Sequence, residues 1–185
     1  MADTLLTDRL TLRPFTADDL DDLVELDSDP EVMRYLTSGR ATPREVIAAE
    51  TLPRFMAPRG GVAVWAWAVV ARQDDGFLGW ASLRPPEGAP AQEAELGYRL
   101  RLGAWGQGLA SEAARALIAH GFGSLDLQRV WAQTMAVNHA SRRVMEKAGL
   151  AHVRTFHLDW DDPIPGTEEG EVEYAITSQD WLATR

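Results

Sequence analysis

Apolar positions along the chain change period several times, and each change marks an element. Leu5 to Pro14 (L-L-T-D-R-L-T-L-R-P) sets Leu6, Leu10 and Leu12 against Thr and Arg, which predicts a strand ended by Pro14. Thr16 then stands as a helix cap, with Asp18 and Asp19 in the first turn and Leu20, Leu23, Val24 and Leu26 as the buried stripe. Asp29-Pro30-Glu31 starts a short helix pointing Val32, Met33 and Leu36 inward, and Thr42-Pro43-Arg44-Glu45 opens another that stops near Pro53 or Met56. Val62 to Ala71 is almost wholly apolar and holds Trp65 and Trp67, as expected of a central strand covered on both faces. Asp74-Asp75-Gly76 is a hairpin turn, Phe77 to Leu83 the next strand, and Pro85 to Pro90 a surface loop. Glu93 to Leu102 alternates, with Glu93, Glu95, Arg99 and Arg101 on one face and Gly97 placed for a bulge.

Helical spacing returns at Leu109, Ala110, Ala113, Ala114, Leu117 and Ile118, closed by Gly121 to Ser124. Arg129 to Val137 reads as a strand, and Asn138-His139-Ala140-Ser141 opens a helix bearing Val144, Met145 and Ala148, ended by Gly149. A strand from Leu150 to about Trp160, a Pro/Gly loop through Gly170 and a strand from Glu171 to Ile176 complete the sheet, with Ser178-Gln179-Asp180-Trp181 as a terminal cap. An exposed edge on Glu171 to Ile176 would let two copies pair as a homodimer. No internal repeat or linker interrupts the pattern, so residues 1–185 are expected to form one domain.

The stretch Trp105-Gly106-Gln107-Gly108-Leu109-Ala110-Ser111-Glu112 lies where a strand gives way to a helix. Gly103, Gly106 and Gly108 lack the Cβ that would hold a ligand away, so backbone N–H groups there can converge on an anion at the positive end of the helix. A tight strand-to-helix turn would use the same glycines. A P-loop is excluded because the loop has no Gly-Lys-Ser/Thr ending and the sole lysine is Lys147. A dinucleotide fold would place its glycines after the first strand, not past mid-chain.

Composition narrows the partners. The chain has 185 residues, 45% hydrophobic and 25% charged, the profile of an ordinary globular protein, and no run approaches the ~18 apolar residues of a membrane span. Met-Ala-Asp-Thr at the start lacks the basic and apolar regions of a secretory signal, so a cytoplasmic location is expected. Zero cysteines removes disulfides, thiolate metal sites and a cysteine nucleophile together, and the four histidines lack metal-ligand spacing, so no metal is expected. A net charge of −10 argues against nucleic acid, serves solubility and suits an amine substrate.

Three ordered segments carry a family resemblance: Thr7-Asp8-Arg9-Leu10-Thr11-Leu12-Arg13-Pro14 with Asp18-Asp19-Leu20, then Trp105 to Ala113, then Asn138-His139-Ala140-Ser141 with Met145-Glu146-Lys147-Ala148-Gly149-Leu150. Over nearly its whole length the chain resembles the GNAT superfamily of acyl-CoA-dependent N-acyltransferases, and within it the RimJ/RimL-like branch of ribosomal-protein N-terminal acetyltransferases. The resemblance implies an α/β (α+β) domain: a mixed, mostly antiparallel splayed sheet of about seven strands flanked by helices, with acetyl-CoA in the V-shaped cleft. It implies that the backbone at Leu100, Arg101 and Leu102 pairs with the pantetheine, and that N–H groups from Trp105, Gly106, Gln107, Gly108, Leu109 and Ala110 hold the pyrophosphate. Asn138 would bond the pantetheine arm, and Arg142 or Arg143 would meet the nucleotide phosphates. The wider superfamily often has Gln or Arg where Gly103 stands, so a side-chain contribution is absent there.

Amine acetylation needs a neutral amine at the thioester carbonyl, an oxyanion donor and a proton for the departing thiolate. The resemblance implies Ser141 as that proton donor, although a serine there also caps a helix. Glu93 and Glu95 are the candidate bases, with Asp159 and His157 as rivals, and Glu112 is a supporting charge in the helix first turn. Trp105 walls the cofactor groove or packs on the helix. The expected reaction is direct ternary-complex transfer to a primary amine, with a protein or peptide N-terminus as acceptor. The alternatives are an antibiotic or polyamine acetyltransferase and a non-catalytic acyl-CoA-binding sensor.

Overall fold

A computed structural model describes residues 4–58, 65–85 and 92–184. The first expected strand is two. β1 (Leu5–Leu6) folds back antiparallel on β2 (Leu10–Pro14), because the Thr7 hydroxyl accepts the Leu10 amide at 2.9 Å and turns the chain. α1 (Leu20–Ser28) follows a 3-10 turn in which the Asp19 carboxylate accepts the Thr16 amide at 2.8 Å and the Arg13 guanidinium. Leu23 and Leu26 are buried, Leu20 and Val24 partly so. α2 (Arg34–Thr37) buries none of its residues, and Leu36, expected inside, is 46% exposed. α3 (Arg44–Val46), a π turn (Ile47–Thr51) and α4 (Leu52–Met56) then run on without a break. The π turn lies directly ahead of Pro53, which has no N–H for the α-helical ladder.

β3 (Ala66–Ala71), β4 (Phe77–Arg84), β5 (Glu93–Leu100), β6 (Arg129–Met135), β7 (Ala151–Phe156) and β8 (Glu171–Thr177) complete an eight-stranded sheet of order β1-β2-β3-β4-β5-β6-β8-β7. Among the described residues only the β5–β6 pair is parallel. The early part of the Val62–Ala71 run and most of the Pro85–Pro90 loop lie outside the described residues. Gly97 makes no bulge: it pairs with Ser82 in unbroken register, and the register shifts fall at Val69/Val70 in β3 and at His152/Arg154 in β7. β8 lies between β6 and β7, so the expected pairing edge on Glu171 to Ile176 is covered and β7 is the edge strand at that end of the sheet.

The sheet is covered on both sides. On one, α5 (Leu109–Ser124) and α6 (His139–Lys147) bury Leu109, Ala113, Leu117 and Met145 against Leu10, Leu12, Trp67 and Leu83. On the other, Leu23, Leu26, Ile47 and Phe55 pack on Ala66, Ala68 and Phe77. Each large apolar side chain so enclosed contributes about 1.5–3 kcal/mol of transfer free energy. α7 (Ser178–Ala183) closes the chain, capped by the Thr177 hydroxyl. No helix among the described residues is long and apolar enough to cross a membrane.

Candidate active site

The parallel pair makes a fork. β5 and β6 are in register only at Glu93↔Arg129, Ala94↔Val130 and Glu95↔Trp131, whereas β4 follows β5 up to Leu100. Beyond Glu95 one side of β5 is therefore free of strand partners. The Arg101 amide donates to the Leu78 carbonyl at 2.8 Å, so the alternation of the antiparallel ladder turns the amides of Leu100 and Tyr98 into the fork. Much of the stretch expected to pair with the pantetheine is already engaged. The Leu100 carbonyl accepts the Trp105 indole N–H at 2.7 Å, and the Arg101 and Leu102 carbonyls accept the amides of Ala104 and Trp105 at 2.9 and 3.0 Å. The Arg101 side chain faces α1, paired with Asp22 and Glu25.

The glycine loop closes the end of β5. Gly106 and Gly108 have φ of 74° and 77°, and a Cβ on Gly103 or Gly106 would meet nothing within 4 Å, so this surface is open. The first α5 bond runs from the Glu112 amide to the Gly108 carbonyl, which leaves the preceding amides without helical acceptors. The loop is braced from below by Arg9, whose guanidinium donates to the Gln107 carbonyl at 3.0 Å and pairs with Glu112 at 2.6 Å. Gln107 spends its side-chain amide on the Gly103 carbonyl. Burial works to raise the Glu112 carboxyl, but the hydrogen bonds of Thr7 and Arg9 and the Arg9 charge hold it below the ordinary range. Trp105 is 44% exposed beside this surface.

Ser141 lies in the first turn of α6, which Asn138 caps: its Oδ1 accepts the Ser141 amide at 3.1 Å and its Nδ2 donates to Thr134. The Asn138 side chain is thus occupied within the chain. Across the fork the Tyr98 hydroxyl lies 2.9 Å from Ser141 Oγ and donates to the Ser141 carbonyl at 3.0 Å. Burial pushes the Tyr98 phenol up, partly offset by Ser141, so it is protonated at neutral pH. Arg142 turns inward to the Ala136 carbonyl and the Tyr174 hydroxyl, while Arg143 is exposed.

On the α1–α4 side a cavity of about 360 Å³ is lined by Trp80, Trp65, Phe55, Met33 and Gly97 among others. A Cβ on Gly97 would come within 2.8 Å of Ser82 Oγ and 3.3 Å of the Trp80 ring, so the missing side chain keeps this floor open. Both acidic residues of the lining are paired, Asp27 with Arg99 and Glu95 with Arg84. Glu93 pairs with Arg129 at 2.9 Å, and Arg129 continues to Glu173, which Arg154 also holds. Both candidate bases thus sit in ion pairs. Asp159 and His157 are exposed. Arg40, ahead of α3, meets Asp162 of the β7–β8 loop at 2.6 Å. Arg9, Tyr98 and the Arg40–Asp162 link were not legible as site features, because partners 43 to 122 residues apart leave no local pattern.

The sheet splays between β5 and β6, with the open glycine loop at the end of β5 and the lined cavity on the α1–α4 side. The family description "Acetyltransferase (GNAT) domain" matches residues 9–151, and the chain belongs to that family as an acetyl-CoA-dependent N-acetyltransferase. It is 39% identical over 187 residues to the FsC-acetyl coenzyme A-N(2)-transacetylase of Aspergillus fumigatus, covering 97% of this chain and 78% of that one. Among solved structures it resembles a GNAT-family acetyltransferase from Bacillus anthracis (26% identity, TM-score 0.78, 96% and 99% of the two chains). It shares its fold with a spermidine N-acetyltransferase from Vibrio cholerae solved with CoA and spermine (18% identity, TM-score 0.77, 95% and 99%).

Proposed function

We propose that the acetyl group is moved to the α-amino nitrogen of a compact, amino-acid-derived molecule, in the cytoplasm and by direct transfer within a ternary complex. The observation that carries this reading is the state of the cavity's acids: Asp27 and Glu95 are both neutralised by arginines, and Arg54 adds a further cation to the lining. A polyamine carries further ammonium groups along its length, each of which needs a free carboxylate to replace its hydration, and among the described residues this lining supplies none. The N(2) position named for the Aspergillus relative supports an α-amine. A peptide N-terminus, the acceptor of the RimJ/RimL-like branch, presents the same group on a larger body.

In this reading the Gly106 to Ala110 amides receive the pyrophosphate, the Leu100 and Tyr98 amides receive the pantetheine, and Ser141 gives its proton to the departing sulfur while Tyr98 re-supplies it. The test is thiol release from acetyl-CoA over a panel of amino-acid amides, dipeptides, ribosomal-protein N-terminal peptides, spermidine and an aminoglycoside, with products located by mass spectrometry. Acetylation of the small α-amines at N(2) is expected. Preferred turnover of spermidine or the aminoglycoside would overturn the reading, and turnover confined to the long peptides would return the acceptor to the N-terminal class.

A further inference from the structure

The fork has two faces, and the reaction needs a proton source on one and a proton sink on the other. Ser141 and Tyr98 stand on the α5–α6 face. On the opposite face the registers Trp131↔Ala175, Gln133↔Glu173 and Met135↔Glu171 carry the line of Glu93 and Glu95 across onto β8. Tyr98 is three residues beyond Glu95, about 10 Å up β5, and Glu171 is level with Met135, four residues and about 13 Å up β6. The two lie at similar height on opposite faces of the sheet, Tyr98 on the strand that borders the opening and Glu171 on β8, one strand behind β6. Glu93, Glu95 and Glu173 each carry an arginine, but Glu171 is 5% exposed and its Oε1 is enclosed with no hydrogen-bond partner. A buried polar atom without a partner is costly and calls for an explanation.

We propose that Glu171 is the base that takes the ammonium proton of the acceptor. The inference rests on the amine-acetylation reading above. The Glu171 carboxylate removes one proton from the ammonium. The neutral nitrogen adds to the thioester carbonyl, forming C–N, and the C–S bond breaks as the carbonyl re-forms. Glu171 returns the ammonium proton to solvent and then takes the nitrogen's second proton as the amide forms, while Ser141 gives one proton to sulfur and is reprotonated from solvent through Tyr98, so each turnover yields amide, thiol and one net proton. Burial supports the role by pushing the Glu171 carboxyl up, towards the range where a base works best near neutral pH. The charged groups around it are Glu173 with Arg129 and Arg154 on β6 to β8, and His157, Glu168 and Glu169 from the loop, with the His157 ring against Gly170.

The experiment compares wild type, Glu171→Gln and Glu171→Ala on the best amine of the panel, beside a carboxyl-carbon NMR titration of the acetyl-CoA complex. Expected are a loss in kcat of about 100-fold to 10,000-fold for Glu171→Gln with KM for acetyl-CoA unchanged, and a variant rate that climbs with pH as free amine accumulates. Formate is expected to restore part of the rate of Glu171→Ala. One carboxyl titrating above the others, absent from Glu171→Gln, is the second expected signature. A kcat within threefold of wild type, or a Glu171 carboxyl titrating with the surface glutamates, would overturn the proposal while leaving the acceptor reading intact. A wild type that binds acetyl-CoA but acetylates none of the panel would instead count against the acceptor reading, and the titration would still decide the state of Glu171.

Discussion

Replacing Gly106 by alanine separates strain in the loop from contact with the cofactor. With φ at 74° the left-handed backbone costs a Cβ-bearing residue about 1–2 kcal/mol. Nothing lies within 4 Å of the added methyl, so no clash within the chain adds to that. In a chain of 185 residues each kcal/mol moves Tm by about 2–4 °C, so unliganded Gly106→Ala is expected about 2–8 °C below wild type. Acetyl-CoA at a hundredfold its dissociation constant adds about 2.7 kcal/mol to wild type, or about 5–11 °C. A methyl that holds the pyrophosphate off and weakens binding tenfold cuts this gain to about 1.4 kcal/mol, or about 3–6 °C. Gly103→Ala is the control, since its Cβ also meets nothing and its φ is not positive; its unliganded Tm is expected to hold. Scanning calorimetry with and without acetyl-CoA, run beside ATP, reads both effects. A Gly106→Ala protein that melts low yet keeps the full acetyl-CoA shift would show that the phosphates do not approach this backbone, and an equal shift with ATP would refute selectivity for the acyl carrier.

Tyr98→Phe removes the hydroxyl 2.9 Å from Ser141 Oγ and is expected to lower kcat about tenfold or more with KM for acetyl-CoA unchanged; steady-state kinetics that match wild type would remove Tyr98 from the proton path. Acid unfolding carries two opposite signs. The lowered carboxyls of Asp19, Glu112 and Glu173 contribute stability that is present above their unfolded range and lost as pH falls through their folded values, so Glu112→Gln is expected to melt low at pH 7 and to converge on wild type in acid. The raised Glu171 carboxyl works the other way, costing stability once pH rises through its folded value. Glu171→Gln is therefore expected to melt above wild type at pH 7, the gap closing as pH falls, in melts recorded from pH 4 to 8.

The elements whose period repeats over several turns were readable in advance. α5 and β4 fall where their apolar spacing puts them, because each buries its own stripe, and β3 (Ala66–Ala71) falls in the described part of the Val62–Ala71 run. Leu36 was misplaced because α2 is a four-residue turn with too little length to impose an inward face. The Leu5–Pro14 alternation hid a reversal because one hydroxyl, Thr7, outweighed a pattern that a straight strand satisfies equally well. Gly97 read as a bulge because missing side chains look alike in sequence, whether they bend a strand or clear a floor.

The family was readable from three ordered segments along the chain, and the glycine loop and the serine offered as proton donor were readable because each depends on residues within one strand–loop–helix or one helix cap. Only the tertiary structure decided which carboxylates are free. Glu93, Glu95, Glu112 and Glu171 have the same chemistry in the sequence, and long-range arginines neutralise the first three while strand order buries the fourth alone. Availability of a charge depends on partners brought together by strand order, and strand order across a fork is set by burial over the whole sheet rather than by spacing along the chain.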